Sequence, residues 1–256
     1  MILVAMRSKL FVPGSRPELF TKALASAADA LSLDLEDAVA PDRKTAAREA
    51  VAGLLRSLPS SVSGKTMIVR VNGLNTPLFE ADIAAVVGKG LDVVNLPSAE
   101  SADDVRQAIA VIERAEASCG LDRPISLLAN IETPKGLRLA AEIAGAHPRV
   151  AGLQIGYGDL FEPAGIDRAD QAALQHVRLI VRFAAAEAEY ARRGVSKLGL
   201  WTLTQTAAQA LAPRIRVNAI APGPTLIGAR QSEGHFARQR AGTVLGRGSN
   251  PSDIVA

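Results

Sequence analysis

The sequence predicts an α/β protein in which a parallel sheet is covered by helices, most simply as part of a TIM-type (β/α) barrel. Short apolar runs alternate with amphipathic, alanine-rich segments between residues 8 and 189. Runs that are apolar on both faces indicate strands buried between helices, as in a parallel sheet. Several strand–helix units in succession indicate either a barrel or a doubly wound sheet.

Six such units can be counted. The predicted strands are SKLFVPG, ADALSLDLED, TMIVRVNG, LDVVNLPS, ISLLANIE and VAGLQIGYGD. The predicted helices are ELFTKALASA, RKTAAREAVAGLLRSL, LFEADIAAVVGKG, ADDVRQAIAVIERAEA, GLRLAAEIAGA and DQAALQHVRLIVRFAAAEAE. A complete barrel of this type has eight strands, so about six of eight units are present and two strand edges would stay unpaired.

Polar side chains stand at the carboxyl ends of these strands, which favours the barrel. They are Asp34, Glu36 and Asp37 after the second strand, Arg70 and Asn72 after the third, Glu132 after the fifth and Asp159 after the sixth. In a barrel these ends open on one face, where active sites form. In an open doubly wound sheet they would spread along an edge, and only the switch point would be useful.

Composition narrows the class of protein. About half of the residues are hydrophobic (48%) and 21% are charged, which permits a sizeable core. The net charge of +3 is spread along the chain, so we expect an anionic small-molecule substrate and no nucleic acid. The single cysteine, Cys119, excludes an internal disulfide and a cysteine-rich zinc site. No segment approaches the roughly 20 apolar residues of a membrane helix or resembles a signal peptide, which predicts a cytoplasmic protein without a membrane partner.

Glu132, Asp159 and Arg70 are the candidate catalytic residues. Two carboxylates at the ends of adjacent strands suit Mg²⁺, and Arg70 offers a planar fork for a substrate carboxylate. Each residue also has a structural alternative. Glu132 could cap the helix after Pro134, Asp159 could cap the turn that follows it, and Arg70 could be an ion-pair partner. Their shared position at strand ends favours the functional interpretation.

The acidic cluster after the second strand is predicted to support the site. We expect part of it to pair with Lys44 or Arg48 on the next helix, which makes Glu36, Asp37 and Lys44 supporting residues.

Several motifs resemble the citrate lyase beta-subunit family, which includes citryl-CoA and malyl-CoA lyases. They are RSKLFVPG, LDLEDAVAPDRKTAAREAV, VRVNG, IETPKG and GYGDLFEPAGID, within about residues 7 to 188. The resemblance implies a TIM-type barrel, Mg²⁺, a CoA thioester and a 2-oxo acid. It implies that Arg70 and Asn72, with Glu132, contact the oxo acid and that Glu132 and Asp159 hold the metal. It also implies a homo-oligomer, unless the tail removes the interface. One departure is Ser98, where the family usually has lysine.

The tail resembles a different family, the classical short-chain dehydrogenases. SKLGLWTLTQTAAQALAPRIRVNAIAPGPT and LGRGSNPSDIVA carry this resemblance over about residues 195 to 256. Ser196 and Lys197 match that family, but Arg193 stands at the tyrosine position, and Tyr190 is seven residues before Lys197. No glycine-rich turn for a dinucleotide occurs near the start of the chain. We therefore expect no dehydrogenase activity.

The sequence thus predicts two joined parts, residues 1–188 and a foreign helix–strand tail at 189–256. Residues 215–220 read as a strand that could extend the open sheet, and the segment after residue 227 as a surface segment without regular structure. Three functions stay open: a Mg²⁺-dependent carbon–carbon lyase acting on a hydroxyacyl-CoA, an inactive or weakly active chimera, and an NAD(P)-dependent oxidoreductase, which the missing tyrosine and glycine motif disfavour.

Overall fold

A computed structural model describes Met6 and residues 8–58, 64–193 and 232–241. The chain divides into two compact units, residues 1–195 and 196–256. The predicted strand at 215–220 and the remnant residues Ser196 and Lys197 lie outside the described residues. None of the described helices is long and apolar enough to cross a membrane.

The first unit contains one sheet of six parallel strands, and all six predicted strands are confirmed. The strands are β1 Lys9–Pro13, β2 Ala30–Asp34, β3 Thr66–Arg70, β4 Val93–Leu96, β5 Ser126–Ile131 and β6 Val150–Ile155. They lie side by side in chain order, and every neighbouring pair is parallel. Parallel neighbours in chain order bring all the carboxyl ends to one edge, as the barrel prediction requires.

Helices follow the strands, as predicted. They are α1 Phe20–Leu24, α2 Lys44–Ser57, α3 Phe79–Val86, α4 Ala102–Cys119, α5 Pro134–Arg138, α6 Ala140–Gly145, α7 Tyr157–Phe161 and α8 Gln171–Arg193. Local chemistry sets their limits: Ser101 caps α4 by accepting from the backbone N–H of Asp104, and Gly120 ends it with a φ of 63°. One predicted helix is two, since the backbone at Leu139 (φ −101°, ψ 15°) breaks the helical path between α5 and α6.

The two faces of the sheet have different interiors. The outer face packs on the helices and forms the main apolar core. The inner face holds a small separate cluster of Ala30, Ile68, Val93 and Leu128. Because side chains two residues apart on a strand share a face, the polar residues Ser32 and Asp34, Arg70, Asn95 and Asn130 also lie on the inner face. The inner face is therefore apolar near the start of the strands and polar toward their carboxyl ends.

The sheet curves so far that its two edge strands meet through their side chains. The ammonium of Lys9 on β1 donates a hydrogen bond to Oε1 of Gln154 on β6. These strands are at opposite ends of the strand order, so their side chains can only meet across the inside of a strongly curved sheet. The described strands therefore form most of the wall of a barrel.

In the second unit the described residues form one helix, α9 Glu233–Ala241. The prediction of no regular structure after residue 227 is wrong for this stretch. Ser232 and the proline-free segment after it allow a short helix, which the glycines in and around the segment made hard to predict.

Candidate active site

Arg70 ends β3 and binds three carboxylates. It lies opposite Asp34 in the register of β2 and β3. Its Nε and Nη2 donate to the two oxygens of Asp34 at 2.8 and 2.5 Å, a bidentate pair. Its Nη1 lies 2.8 Å from Oε2 of Glu36 and 3.2 Å from Oδ2 of Asp37. The structural alternative for Arg70 is therefore confirmed, because Arg70 is an ion-pair partner of these carboxylates.

These contacts leave part of the guanidinium available. Arginine has five N–H donors, and the hydrogen bonds to Asp34 and Asp37 use three of them. The second N–H of Nη2 has no acceptor among the described residues, while Nη1 also faces Oε2 of Glu36 at 2.8 Å. The free N–H of Nη2 can donate to a substrate carboxylate.

The mouth of the sheet carries more negative than positive charge. Burial raises the pKa of Glu36 to about 7; Arg70 opposes this shift, while Asp37, Glu132 and Asp34 add to it. Oε2 of Glu36 is buried and, although close to Arg70, accepts no aligned hydrogen bond. Burial acts to lower the pKa of Arg70, but the hydrogen bond and charge of Asp34 raise it above its usual value, so Arg70 stays charged. An added cation would relieve this imbalance.

Glu132 follows β5 and is held in a fixed orientation. Its side chain is buried, with 4% exposure. Oε1 accepts from the backbone N–H of Ser98 at 2.6 Å and from its hydroxyl at 3.0 Å, and Oε2 accepts from Nδ2 of Asn130 at 3.1 Å. Each carboxylate oxygen accepts about two hydrogen bonds, so Oε2 keeps one position for a cation within these contacts. Thr133, whose hydroxyl accepts from Gly136, caps α5; the alternative role of Glu132 as the cap is wrong.

Ser98 is a site residue that the sequence analysis noted only as a departure from the family. Its φ of 48° lies in the left-handed region, which non-glycine residues seldom adopt. This conformation turns both its N–H and its hydroxyl toward Oε1 of Glu132. Where the resemblance leads to a lysine, this chain has a residue that orients the candidate metal ligand. The sequence feature that could have identified Ser98 is the motif Leu96-Pro97-Ser98, in which serine replaces the lysine of the family.

Gly156 brings the segment that carries Asp159 against Glu132. Its backbone N–H donates to the carbonyl of Ile131 at 3.0 Å, and a Cβ at this position would lie 2.5 Å from Oε2 of Glu132. Asp159 follows three residues later on α7 and is exposed. No described residue forms a hydrogen bond or ion pair with Asp159, and backbone groups close the turn after it. The interpretation of Asp159 as a cap of that turn therefore has no support.

Asn72 has another partner. Its backbone N–H and Nδ2 donate to Oδ2 of Asp82 at 2.9 and 2.6 Å, and its side chain is buried. Nε of Arg48 donates to the other oxygen of Asp82 at 2.7 Å. Asn72 is therefore part of a buried network beneath the mouth, and its predicted contact with substrate would require its amide oxygen alone.

The predicted pairing of the acidic cluster with Lys44 or Arg48 is wrong. Nζ of Lys44 donates to the backbone carbonyls of Leu35 and Glu36 at 2.8 and 2.7 Å, and Arg48 pairs with Asp82. The acids pair instead with Arg70, because strand register places it directly opposite the end of β2. Lys44 does support the site, by holding the backbone of the acidic loop.

The donor set fits Mg²⁺. Glu132 offers a free acceptor position, Asp159 offers an unpaired carboxylate, and Mg²⁺ is usually held by one or two carboxylates with waters completing the octahedron. The described residues contain no group of three or more histidine, cysteine or acidic side chains placed to hold a metal. A cation bound here would therefore keep several exchangeable positions for water or substrate oxygens.

Two family models match parts of this chain. Residues 7–196 match the family model described as HpcH/HpaI aldolase/citrate lyase. The chain belongs to this family. A second model, described as enoyl-(acyl carrier protein) reductase, matches residues 179–256. Both resemblances seen in the sequence are thus confirmed, and the TIM-barrel-like fold with them.

Several lyases and related proteins are similar to part of this chain. The chain is 38% identical over 163 residues to L-malyl-CoA/beta-methylmalyl-CoA lyase of Cereibacter sphaeroides, covering 62% of this chain and 51% of that protein. It is 42% identical over 171 residues to (3S)-malyl-CoA thioesterase of the same organism, covering 66% and 55%. The citrate lyase beta subunit of M. tuberculosis, complexed with oxaloacetate and magnesium, superposes with a TM-score of 0.58 at 34% identity, covering 85% and 92%. The chain spans about half the length of the curated relatives it matches.

Proposed function

We propose that this chain is a Mg²⁺-dependent carbon–carbon lyase that converts a hydroxyacyl-CoA thioester of the citryl-CoA or malyl-CoA type into an acyl-CoA and a 2-oxo acid. The observation that carries the proposal is the arrangement of Glu132. Ser98 and Asn130 fix its carboxylate, its charge acts on the Glu36–Arg70 cluster, and Gly156 links it to Asp159. The malyl-CoA lyase and citrate lyase beta relatives support the same chemistry.

The roles of the residues follow from their free positions. Arg70 binds the carboxylate of the oxo acid through the free N–H of Nη2, and Asp34 holds the guanidinium in place. Glu132 and Asp159 would hold Mg²⁺, which stabilises the oxyanion that forms as the carbon–carbon bond breaks. Ser98 keeps Glu132 from turning away. Lys44 holds the loop that carries Glu36 and Asp37.

Thermal melting tests whether the site is assembled. The chain should melt at a higher temperature with Mg²⁺ and oxaloacetate together than with either alone, because a ligand that binds the folded state stabilises it. Glu132→Gln should lose this shift. An unchanged midpoint with both ligands, at concentrations well above millimolar, would remove the proposal.

Product analysis then separates the reactions of the relatives. A lyase given citryl-CoA or malyl-CoA releases a 2-oxo acid and keeps the thioester in the acyl-CoA product. A thioesterase releases free CoA thiol and a hydroxy acid. Detection of thiol without oxo acid would contradict the lyase.

A second candidate is a chain that binds these ligands with little or no turnover. Its support is the match to only about half the length of the curated relatives, and the six strands of the described sheet. A ligand-induced shift without product would identify it. The proposed boundary between residues 188 and 189 falls within residues 179–196, where the two family matches overlap. An NAD(P)-dependent oxidoreductase stays the least supported candidate, and absence of nicotinamide nucleotide binding would remove it.

A further inference from the structure

Lys9 is a half-buried cation inside the curved sheet, close to Arg70. It begins β1, and its ammonium donates to Gln154 across the interior. Its Nζ lies 4.4 Å from the centroid of the Phe11 ring, and the guanidinium carbon of Arg70 lies 5.7 Å from the same centroid. Phe11 is 45% exposed, so this part of the interior is open to a ligand.

The charge of Lys9 has no counter-ion in the described chain. Arg70 binds three carboxylates, but no described carboxylate lies within ion-pair distance of Lys9. Burial, and to a smaller degree the charge of Arg70, lower the pKa of Lys9 to about 8, although Asp34 opposes the shift. Lys9 therefore stays mainly charged at neutral pH. A half-buried charge without a counter-ion costs free energy, part of which a bound anion would recover.

Two further polar atoms on the same inner face lack partners. Oγ of Ser32 and Oδ1 of Asn95 are fully buried and have no hydrogen bond among the described residues. Ser32 lies beside Phe11 in the register of β1 and β2. Buried polar groups are normally paired, so these two atoms indicate that a polar ligand or water completes them.

The spacing of the two cations suggests what the ligand is. Lys9 Nζ and Arg70 Cζ are no more than about 10 Å apart, because both lie over one ring. The two carboxyl carbons of a four-carbon diacid are roughly 4 Å apart, since each C–C bond is about 1.5 Å. With hydrogen bonds of about 2.8 Å at each end, such a diacid reaches across a gap of up to about 10 Å, whereas a monoacid has no second carboxylate to offer Lys9.

We infer that Lys9 binds the second carboxylate of a four-carbon 2-oxo dicarboxylic acid whose first carboxylate is bound by Arg70. The inference rests on the proposed lyase function and narrows it to the citryl-CoA type. Lys9 then determines which acid binds. The alternative is a structural role, in which the hydrogen bond between Lys9 and Gln154 only holds the two edge strands of the sheet together. The two views differ in what the loss of the ammonium does to different acids.

Oxaloacetate and pyruvate are the matched probes, because pyruvate is oxaloacetate without its second carboxylate. Their dissociation constants are measured by calorimetry with Mg²⁺, using freshly dissolved oxaloacetate. The wild-type chain should bind oxaloacetate about tenfold more tightly or better, as expected for a charge-assisted hydrogen bond. In Lys9→Met this preference should fall to about onefold while pyruvate affinity is kept. Lys9→Arg should retain most of it, and Lys22→Met, which removes an exposed lysine on α1, should retain all of it.

Each other outcome has a distinct meaning. Equal binding of both acids by the wild type overturns the role of Lys9 but leaves the lyase proposal intact. Equal weakening of both acids in Lys9→Met overturns it in favour of the structural tie. Failure of both acids to bind the wild type removes the lyase proposal and this inference together. If Lys9→Met does not fold, acylation of Lys9 in the wild type replaces it: oxaloacetate should slow the labelling more than pyruvate, and equal protection overturns the inference.

Discussion

Replacing Gly156 with alanine should disrupt the candidate site through a single added methyl group. The new Cβ would lie 2.5 Å from Oε2 and 2.7 Å from Cβ of Glu132, distances that real Cβ atoms do not show. Gly156 has a φ of −95°, outside the left-handed region that favours glycine, so the expected effect comes mainly from the clash. The segment cannot slide away easily, because its N–H is bonded to the carbonyl of Ile131.

The cost can be worked out from the two ways of relieving the clash. Moving the backbone is overpacking, which typically costs about 1–3 kcal/mol. Moving the Glu132 side chain breaks its hydrogen bonds to Ser98, and a hydrogen bond to a charged group contributes about 1.5–3 kcal/mol. Either route lowers the free energy of unfolding by about 2 kcal/mol. Only the second also moves the candidate metal ligand, but both change the geometry between Glu132 and the segment of Asp159.

Urea denaturation with and without Mg²⁺ plus oxaloacetate measures both effects. Gly156→Ala should unfold at lower urea and should lose the ligand-induced gain, which for the wild type at a hundred times Kd is about 2.7 kcal/mol. Gly152→Ala on β6 is the matched control. Its Cβ would meet only Cδ1 of Leu128 at 3.5 Å, an ordinary contact, and stability should stay equal or rise by up to about 1 kcal/mol. A Gly156→Ala variant with wild-type stability and a full ligand response would refute the packing of Gly156 on Glu132.

Three other outcomes are expected. Because folding raises the pKa of Glu36 from 4.5 to about 7, the stability that Glu36 contributes should decline as pH rises from about 4.5 to 7. Thermal melting across this range should show no such decline for Glu36→Gln, which should also melt higher than the wild type at about pH 8. Arg149→Met should lower the urea unfolding free energy by about 3 kcal/mol and leave ligand binding unchanged, since it strands the buried Glu116 carboxylate at the opposite end of the sheet. Ser98→Ala should cost about 1 kcal/mol in urea and weaken the Mg²⁺-dependent shift in melting, because Glu132 loses one of its three hydrogen bonds.

The strands could be predicted because their signal is local. A parallel strand covered by helices is apolar on both faces, and each of the six runs ends in turn or polar residues that mark where it stops. The ends of these runs also predicted that Arg70, Glu132 and Asp159 follow strands. That prediction needs only the local sequence and no distance between residues far apart in the chain. The local sequence does not predict which side chains meet. It does not reveal that Gly156, on the segment that carries Asp159, packs on Glu132.

Pairing partners could not be predicted, because they depend on register and curvature. Sequence proximity favoured Lys44 or Arg48 for the acidic loop, but Arg70 is directly opposite Asp34 across two paired strands. Arg48 instead meets Asp82, 34 residues away. The contact of Lys9 with Gln154 spans 145 residues and exists only because the sheet curls. No local pattern carries that information.

The charged groups of the candidate site lie early in the chain, so ligand binding can be retained even where catalytic turnover is low. Asp34, Glu36, Arg70, Glu132 and Asp159 all precede residue 160, inside the part that matches the HpcH/HpaI family. Asp34, Glu36 and Asp37 bind one guanidinium, and Glu132 adds to the negative charge at the mouth. This excess charge, together with burial, raises the pKa of Glu36. A divalent cation would offset that excess whatever follows residue 188, because Glu132 and its partners Ser98 and Asn130 all lie before that residue. Mg²⁺ and oxo-acid binding should therefore persist even if turnover is low, and a chain that failed to bind Mg²⁺ while remaining folded would show that this excess charge is balanced in some other way.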